Sequence, residues 1–190
     1  MILRVIFALL ALLLLSSCGS EEAKDESFKE GEEIVLTGID GSAKTLVRAQ
    51  NAFYLKENPQ KAILIDIFGT FCPPCQKEAP ELTKLAIELK DKIELIGLIH
   101  LEKIENSRIE SDFVKKYNAY YFISNETEKN TRLIEQIAKD IEYKKEIVLP
   151  FKVLLKNKAY QEVTDFWVDA GRQKYYLGKV PTSLIRSDLK

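Results

Sequence analysis

The chain has 190 residues, 46% of them hydrophobic and 30% charged, and 28 basic against 29 acidic side chains leave a net charge of −1. That length suits one domain with at most a short extension, and the apolar share is ample for a core. The even charge balance argues against a nucleic-acid binder, which carries a basic excess on one face.

The first residues read as a leader. "MILR" is a short basic start, and Val5 to Leu15 form an eleven-residue apolar stretch. A bilayer core needs about 20 apolar residues, so this run has the build of a signal-peptide core and not of a membrane span. Ser16 and Ser17 ahead of Cys18 resemble a bacterial lipobox, whose cysteine is acylated and becomes the mature N-terminus. The competing reading is an ordinary secretory signal that happens to contain a cysteine. Residues 1–17 are thus expected to be a lipoprotein signal peptide, with Cys18 lipidated. Residues 20–33 carry seven acidic and two basic side chains, so 18–33 is expected to be a solvated acidic tether to a folded domain over 34–190.

Within that domain, "EIVLTGIDGSAKTLV" holds two short apolar segments around Asp40-Gly41, a hairpin signal. "KAILIDIFGT" (61–70) reads as a central strand covered on both faces. Ala79, Leu82, Leu85, Ala86 and Leu89 then recur at helical spacing, predicting an amphipathic helix from Pro73 to about Lys90. "KIELIGLIHL" (92–101) predicts a second buried strand. Ile109, Phe113, Val114 and Tyr117 predict a helix, "AYYFIS" a short strand, and Leu133 to Ile141 a third helix. "IVLPFKVLLK" and "AYQEVTDFWV", joined at Asn157-Lys158, read as a closing hairpin, and "PTSLIRSDLK" as a last helix with Pro181 near its first turn. Strands alternating with helices imply an α/β fold, a mixed central sheet flanked by helices on both faces.

Cys72 and Cys75, in "FGTFCPPCQKEAP", lie where the strand gives way to the helix. Zinc would need four ligands, and the chain offers this one pair and a lone His100 in a strand-like run, so no metal is expected. A structural disulfide across so short a loop removes little chain entropy and adds little stability. A redox role fits better. At the helix N-cap, free backbone N–H groups and the helix dipole favour a Cys72 thiolate, the species that attacks disulfides. Cys75, one turn further on, can then displace the mixed disulfide.

"KAILIDIFGTFCPPCQKEAPEL" resembles the strand, active-site turn and first helix of the thioredoxin superfamily, and within it the membrane-tethered TlpA/ResA-like thiol–disulfide oxidoreductases. The resemblance extends over roughly 32–190 and implies a thioredoxin-like fold, with Cys72 as nucleophile, Cys75 as resolving thiol and no cofactor. It also implies proton-transfer roles for Asp66, six residues before Cys72, and Glu78, three after Cys75. The second thiol must lose its proton, and a buried carboxylate with a raised pKa is a suitable base. The family's substrate-binding cis-proline falls on Pro150 and not on Pro181, after which too few residues remain for the closing elements. Leu149 stands where Thr or Val is common, Phe71 replaces the usual Trp before the first cysteine, and the stretch between Leu101 and Pro150 is longer than usual. Leu149, Pro150 and Phe71 are expected to contact substrate.

The partners so implied are cysteine-containing exported proteins, the membrane through the lipid anchor, and a DsbD/CcdA-like membrane electron donor. The domain is expected to face the periplasm, from the inner or the outer membrane. A non-enzymatic copper carrier using the same cysteines is the rival reading. Pro73 and Pro74 lack N–H groups and so offer the Cys72 thiolate two fewer donors, which favours a reductant; an oxidant that forms disulfides is the alternative. A weakly stabilised thiolate makes a reductant, for example in cytochrome c assembly, whereas a strong oxidant needs an unusually stable one.

Overall fold

The computed structural model describes residues 27–189. Cys18 and the expected signal peptide lie outside them. The chain opens with a small antiparallel sheet, β1 (Glu33–Thr37), β2 (Ala43–Arg48) and β3 (Phe53–Leu55), in that order. The turn at Asp40-Gly41 joins β1 to β2, Gly41 taking a positive φ of 81° and Asp40 Oδ1 accepting from the Ser42 N–H. β3, at three residues, is too short to carry a periodicity and was not expected from sequence.

The main fold follows: β4 (Ala62–Phe68), α1 (Pro73–Glu88) and β5 (Ile93–Ile99). Next comes a helical passage of three pieces, α2 (Asn106–Ile109), a π-helical stretch Glu110–Val114, and α3 (Lys115–Tyr117). Then come β6 (Phe122–Ser124), α4 (Thr127–Asp140), β7 (Phe151–Lys156), β8 (Ala159–Tyr160), β9 (Val163–Thr164), β10 (Arg172–Gln173), β11 (Tyr176–Leu177) and α5 (Thr182–Asp188). The main sheet runs β11-β7-β4-β5-β6, with β8 also paired to β7. β4, β5 and β6 are parallel and β7 is antiparallel to β4, which gives the expected mixed sheet.

β4 lies at the centre, and all seven of its residues are buried. Its alternation sorts the core into two sides. Ile63, Ile65 and Ile67 point to the face covered by α4 (Leu133, Ile134, Ile137) and the small sheet, while Ala62 and Leu64 point to the face covered by α1 (Leu82, Leu85) and α5 (Ile185). Towards the C-terminal end of β4, that second face continues into a cluster holding Phe68, Cys72, Cys75, Ala79 and Phe113, with the Phe68 and Phe113 rings stacked 4.9 Å apart. Asp66 and Lys152 sit between these two clusters by the same alternation.

Two expectations need correction. The tether was expected to reach residue 33, but Phe28 is buried, packs edge-on against Phe53 and lies under the Arg132 guanidinium. A single large apolar side chain in an acidic run has enough surface to dock where a core edge is open. The closing hairpin is also broken. After the turn at Asn157 and Lys158, both with positive φ, β8 pairs with β7 for only two residues. The chain then leaves the sheet, β9 pairs with β10 in a separate ribbon, and β11 returns to β7 beside Phe151 and Lys152. The loop between β9 and β10 leaves Phe166, Trp167 and Val168 exposed.

Candidate redox site

The turn between β4 and α1 is held from three sides. The Cys72 N–H donates to the Gly69 carbonyl at 3.1 Å, and the Gln76 amide donates to the Thr70 carbonyl at 2.7 Å. The Thr70 N–H and hydroxyl donate to the Glu102 carboxylate at 2.5 and 2.8 Å, tying the turn to the segment after β5. Cys72 is the N-cap of α1 in extended conformation, with Pro73 and Pro74 as the first helical residues. Because neither proline has an N–H, the Cys75 N–H is the first that the helix offers, and it donates to Cys72 Sγ at 3.4 Å. The two cysteines are joined in a disulfide and are 5% and 2% exposed, so Cys72 lies nearer the surface.

Beneath them is a dry cluster of charge. Asp66 on β4 and Glu78 on α1 are both buried, Glu78 one helical turn from Cys75 on the same face. Glu78 could equally have sat on a solvated helix face. Between the two carboxyls lies Lys152 of β7, fully buried, its Nζ 2.8 Å from Glu78 Oε1 and 3.8 Å from Asp66 Oδ1. Lys152 Nζ also donates to the Gly178 carbonyl at 3.3 Å. The carboxylate contacts are electrostatic and poorly directed, for among the described residues neither Glu78 oxygen nor Asp66 Oδ1 has a well-formed hydrogen bond.

Burial pushes Asp66 up to about 6 against the pull of Lys152. Burial pushes Glu78 up to about 8; Lys152 again opposes, and the Asp66 charge adds to the rise. The pKa of Tyr121, a partly buried side chain, is raised by burial and then by these same two carboxylates, so its hydroxyl stays neutral. Its ring fits where Gly97, the β5 neighbour of Asp66, has no side chain: a Cβ there would come within 3.0 Å of the Tyr121 ring and 2.9 Å of Phe68.

The Leu149–Pro150 peptide bond is cis. Leu149 is half-buried and packs against the cluster that contains both cysteines, whereas Val148 beside it and Phe71 beside Cys72 are exposed. The Pro150 carbonyl accepts from Gly178, whose φ of +72° turns its N–H to Pro150 while its own carbonyl meets Lys152. His100 is half-buried at the end of β5, and burial lowers its pKa. Among the described residues, no group of three or more His, Cys, Asp or Glu side chains is arranged to hold a metal.

The structure therefore gathers Cys72, Cys75, Asp66, Glu78, Leu149, Pro150 and Phe71 at one end of the sheet, while Cys18 lies outside the described residues. Sequence reasoning missed Lys152 and Glu102. A lysine inside the apolar run "LPFKVLL" was the available signal for the first; Glu102, in a charged loop, had none.

A family model described as Thioredoxin matches residues 44–145. A thiol-disulfide oxidoreductase ResA of Bacillus cereus is 30% identical over 124 residues, covering 60% of this chain and 65% of its own. A second ResA, from another Bacillus cereus strain, is 27% identical over 142 residues, covering 69% of this chain and 73% of its own. The chain thus spans 65% of the length of the first of these relatives. Among solved structures, StoA from Bacillus subtilis superposes with a TM-score of 0.55 at 17% identity, covering 84% of this chain and 98% of that one. A thioredoxin-family thiol:disulfide interchange protein from Chlorobium tepidum also reaches 0.55, at 13% identity, covering 85% and 93%. At such identities the superpositions speak for the fold alone.

Proposed function

Because this chain belongs to the thioredoxin family, we propose that it is a ResA-like thiol:disulfide oxidoreductase acting on cysteine-containing exported proteins, a reading supported by its similarity to the ResA proteins. The observation that carries the reading is the Cys72–Cys75 pair at the start of α1, with the Cys75 N–H aimed at Cys72 Sγ. In the reduced protein the Cys72 thiolate attacks one sulfur of a substrate disulfide. A Cys72–substrate disulfide forms and the other substrate sulfur leaves as a thiolate. Cys75 passes its proton to a carboxylate of the Asp66–Glu78 pair and attacks Cys72 Sγ, expelling the second substrate thiolate. The substrate has then gained two electrons, the cysteine pair has become a disulfide, and the stored proton is available to a departing thiolate. Leu149, Pro150 and Phe71 form the surface on which the substrate segment lies.

The physiological direction is reduction, with cytochrome c assembly as an example of its use, and a DsbD/CcdA-like membrane carrier returns electrons to the pair. Lipid on Cys18 holds the domain at a membrane, facing the periplasm. The anchoring is supported by the lipobox-like leader and the direction by the two prolines that deprive Cys72 of donors, while the electron donor and the cytochrome c example follow from the family resemblance.

The roles of the two thiols are tested by trapping. Cys75→Ser expressed in cells should accumulate mixed disulfides with other proteins, resolved on non-reducing gels, and Cys72→Ser should not. Trapping by Cys72→Ser alone would reverse the assignment, and trapping by neither would defeat the exchange reading.

A further inference from the structure

Lys152 is the one fully buried lysine among the described residues, and it sits where β7 lies antiparallel to β4, directly opposite Asp66. Isolated burial of an ammonium is costly, so its presence calls for compensating charge. Two carboxyls supply it, Glu78 at 2.8 Å and Asp66 at 3.8 Å, so three ionisable groups share one dry space with a single positive charge. The electrically balanced state of that space has one carboxylate, one carboxylic acid and the ammonium. Tyr121, facing from the approach to β6, stays neutral, and Lys179, from the segment before α5, acts on Glu78 only as a weaker outside charge while contacting Glu81 at 3.5 Å. The Gly178 carbonyl fixes Nζ from the β11 side.

We propose that Lys152 is the positioning residue of the resolving half-reaction: its ammonium holds one of Asp66 and Glu78 as the carboxylate, so that a base stands beside Cys75 when the mixed disulfide forms. The inference rests on the exchange reading above. Its chemistry is a single proton transfer. The Cys75 S–H bond breaks, the proton is bound by the carboxylate, and the electron pair left on sulfur forms the bond to Cys72 Sγ as the substrate thiolate departs. Without the ammonium both carboxyls keep their protons to higher pH, because two negative charges in that space have no partner.

The test uses reduced full-length protein with Cys18→Ala, so that only Cys72 and Cys75 report, reacted with dithiobis(nitrobenzoate). The first equivalent of coloured thiolate reports attack by Cys72; the second reports displacement by Cys75. Lys152→Met should move the acid limb of the second phase to higher pH by one unit or more, a tenfold slowing at a fixed pH on the limb, and leave the first phase in place. If Lys152→Met does not fold, the comparison is between Asp66→Asn, which keeps the Glu78–Lys152 pair, and Asp66→Asn with Lys152→Met, which leaves Glu78 alone. The second of these should show the higher limb. A second phase that slows with no change in its pH profile, or limbs that coincide, would overturn the proposal. A missing first phase in the Cys18→Ala parent would overturn the exchange reading instead.

Discussion

Asp66 and Lys152 stand directly opposite each other on antiparallel strands β4 and β7, and their side chains emerge on the same face of the sheet as α1. Glu78 reaches the pair from that helix, so three chain segments far apart in sequence meet in one buried cluster under the cysteines. The carboxyls of this cluster make stability depend on pH in a direction opposite to that of surface carboxylates.

A carboxyl whose folded pKa exceeds its unfolded value of about 4 binds its proton more tightly in the native state. Its contribution to stability is present in full below about pH 4 and is lost as pH rises through the folded values, about 6 for Asp66 and about 8 for Glu78. Urea unfolding at roughly pH 5 and pH 8 should show a smaller loss of stability over that range for Glu78→Gln than for the parent. Parallel losses in the two proteins would mean that Glu78 does not titrate there.

A second buried ion pair among the described residues is structural. Arg48 on β2 and Asp140 at the end of α4 have side chains 7% and 5% exposed, the guanidinium gripping both carboxylate oxygens while Tyr160 and Gln136 donate to the same group. Arg48→Met leaves Asp140 buried without its cation and should cost about 3–5 kcal/mol. Lys44→Ala removes a more exposed partner of Glu94, 32% exposed on the lysine side, and should cost at most about 1 kcal/mol. Equal denaturation midpoints for the two variants would contradict this ranking.

Thiolate stabilisation at Cys72 sets the potential. With Pro73 and Pro74 at the first two helical positions, one backbone N–H is directed at Cys72 Sγ. Equilibration with glutathione buffers should give a potential below about −180 mV. Pro74→Ala restores a donor, stabilises the thiolate and should raise the potential by about 30 mV for each unit by which the Cys72 pKa falls. A parent value near −120 mV would make the protein an oxidant.

The proposed lipid anchor is on Cys18, outside the described residues. Cys18→Ala, expressed in a bacterial host, should shift the protein out of the membrane fraction, since attached acyl chains give most of the binding energy and two signals hold far better than one. Retention after high-salt and carbonate washing would exclude lipid on Cys18 as the anchor.

Much of the redox site was legible locally. An apolar strand running into Cys-Pro-Pro-Cys and then a helical period places Cys72 at an N-cap and Cys75 and Glu78 on one face, because turn and helix geometry act within a few residues. Helix spacing likewise located α1 and α4, and an unbroken apolar run identified β4. Other features depended on distant pairings. The apolar run around Lys152 hinted at burial, but only the register of β7 on β4 set it opposite Asp66, since a one-residue slip would send it to the other face. Phe28 joins the core because the small sheet and Arg132 leave it a place to dock, which no local composition reveals. The closing hairpin broke for the same reason: "AYQEVTDFWV" is rich in strand formers such as Tyr160, Val163, Thr164, Phe166 and Val168, but the edge of β7 offers pairing to two of its residues before β11 pairs further along. Sequence by itself thus determined the local geometry of Cys72, through short-range sterics and helix-end hydrogen bonding. Tertiary structure alone decided the charge around it, because the electrostatics of a buried group depend on which remote side chains share its low-dielectric space.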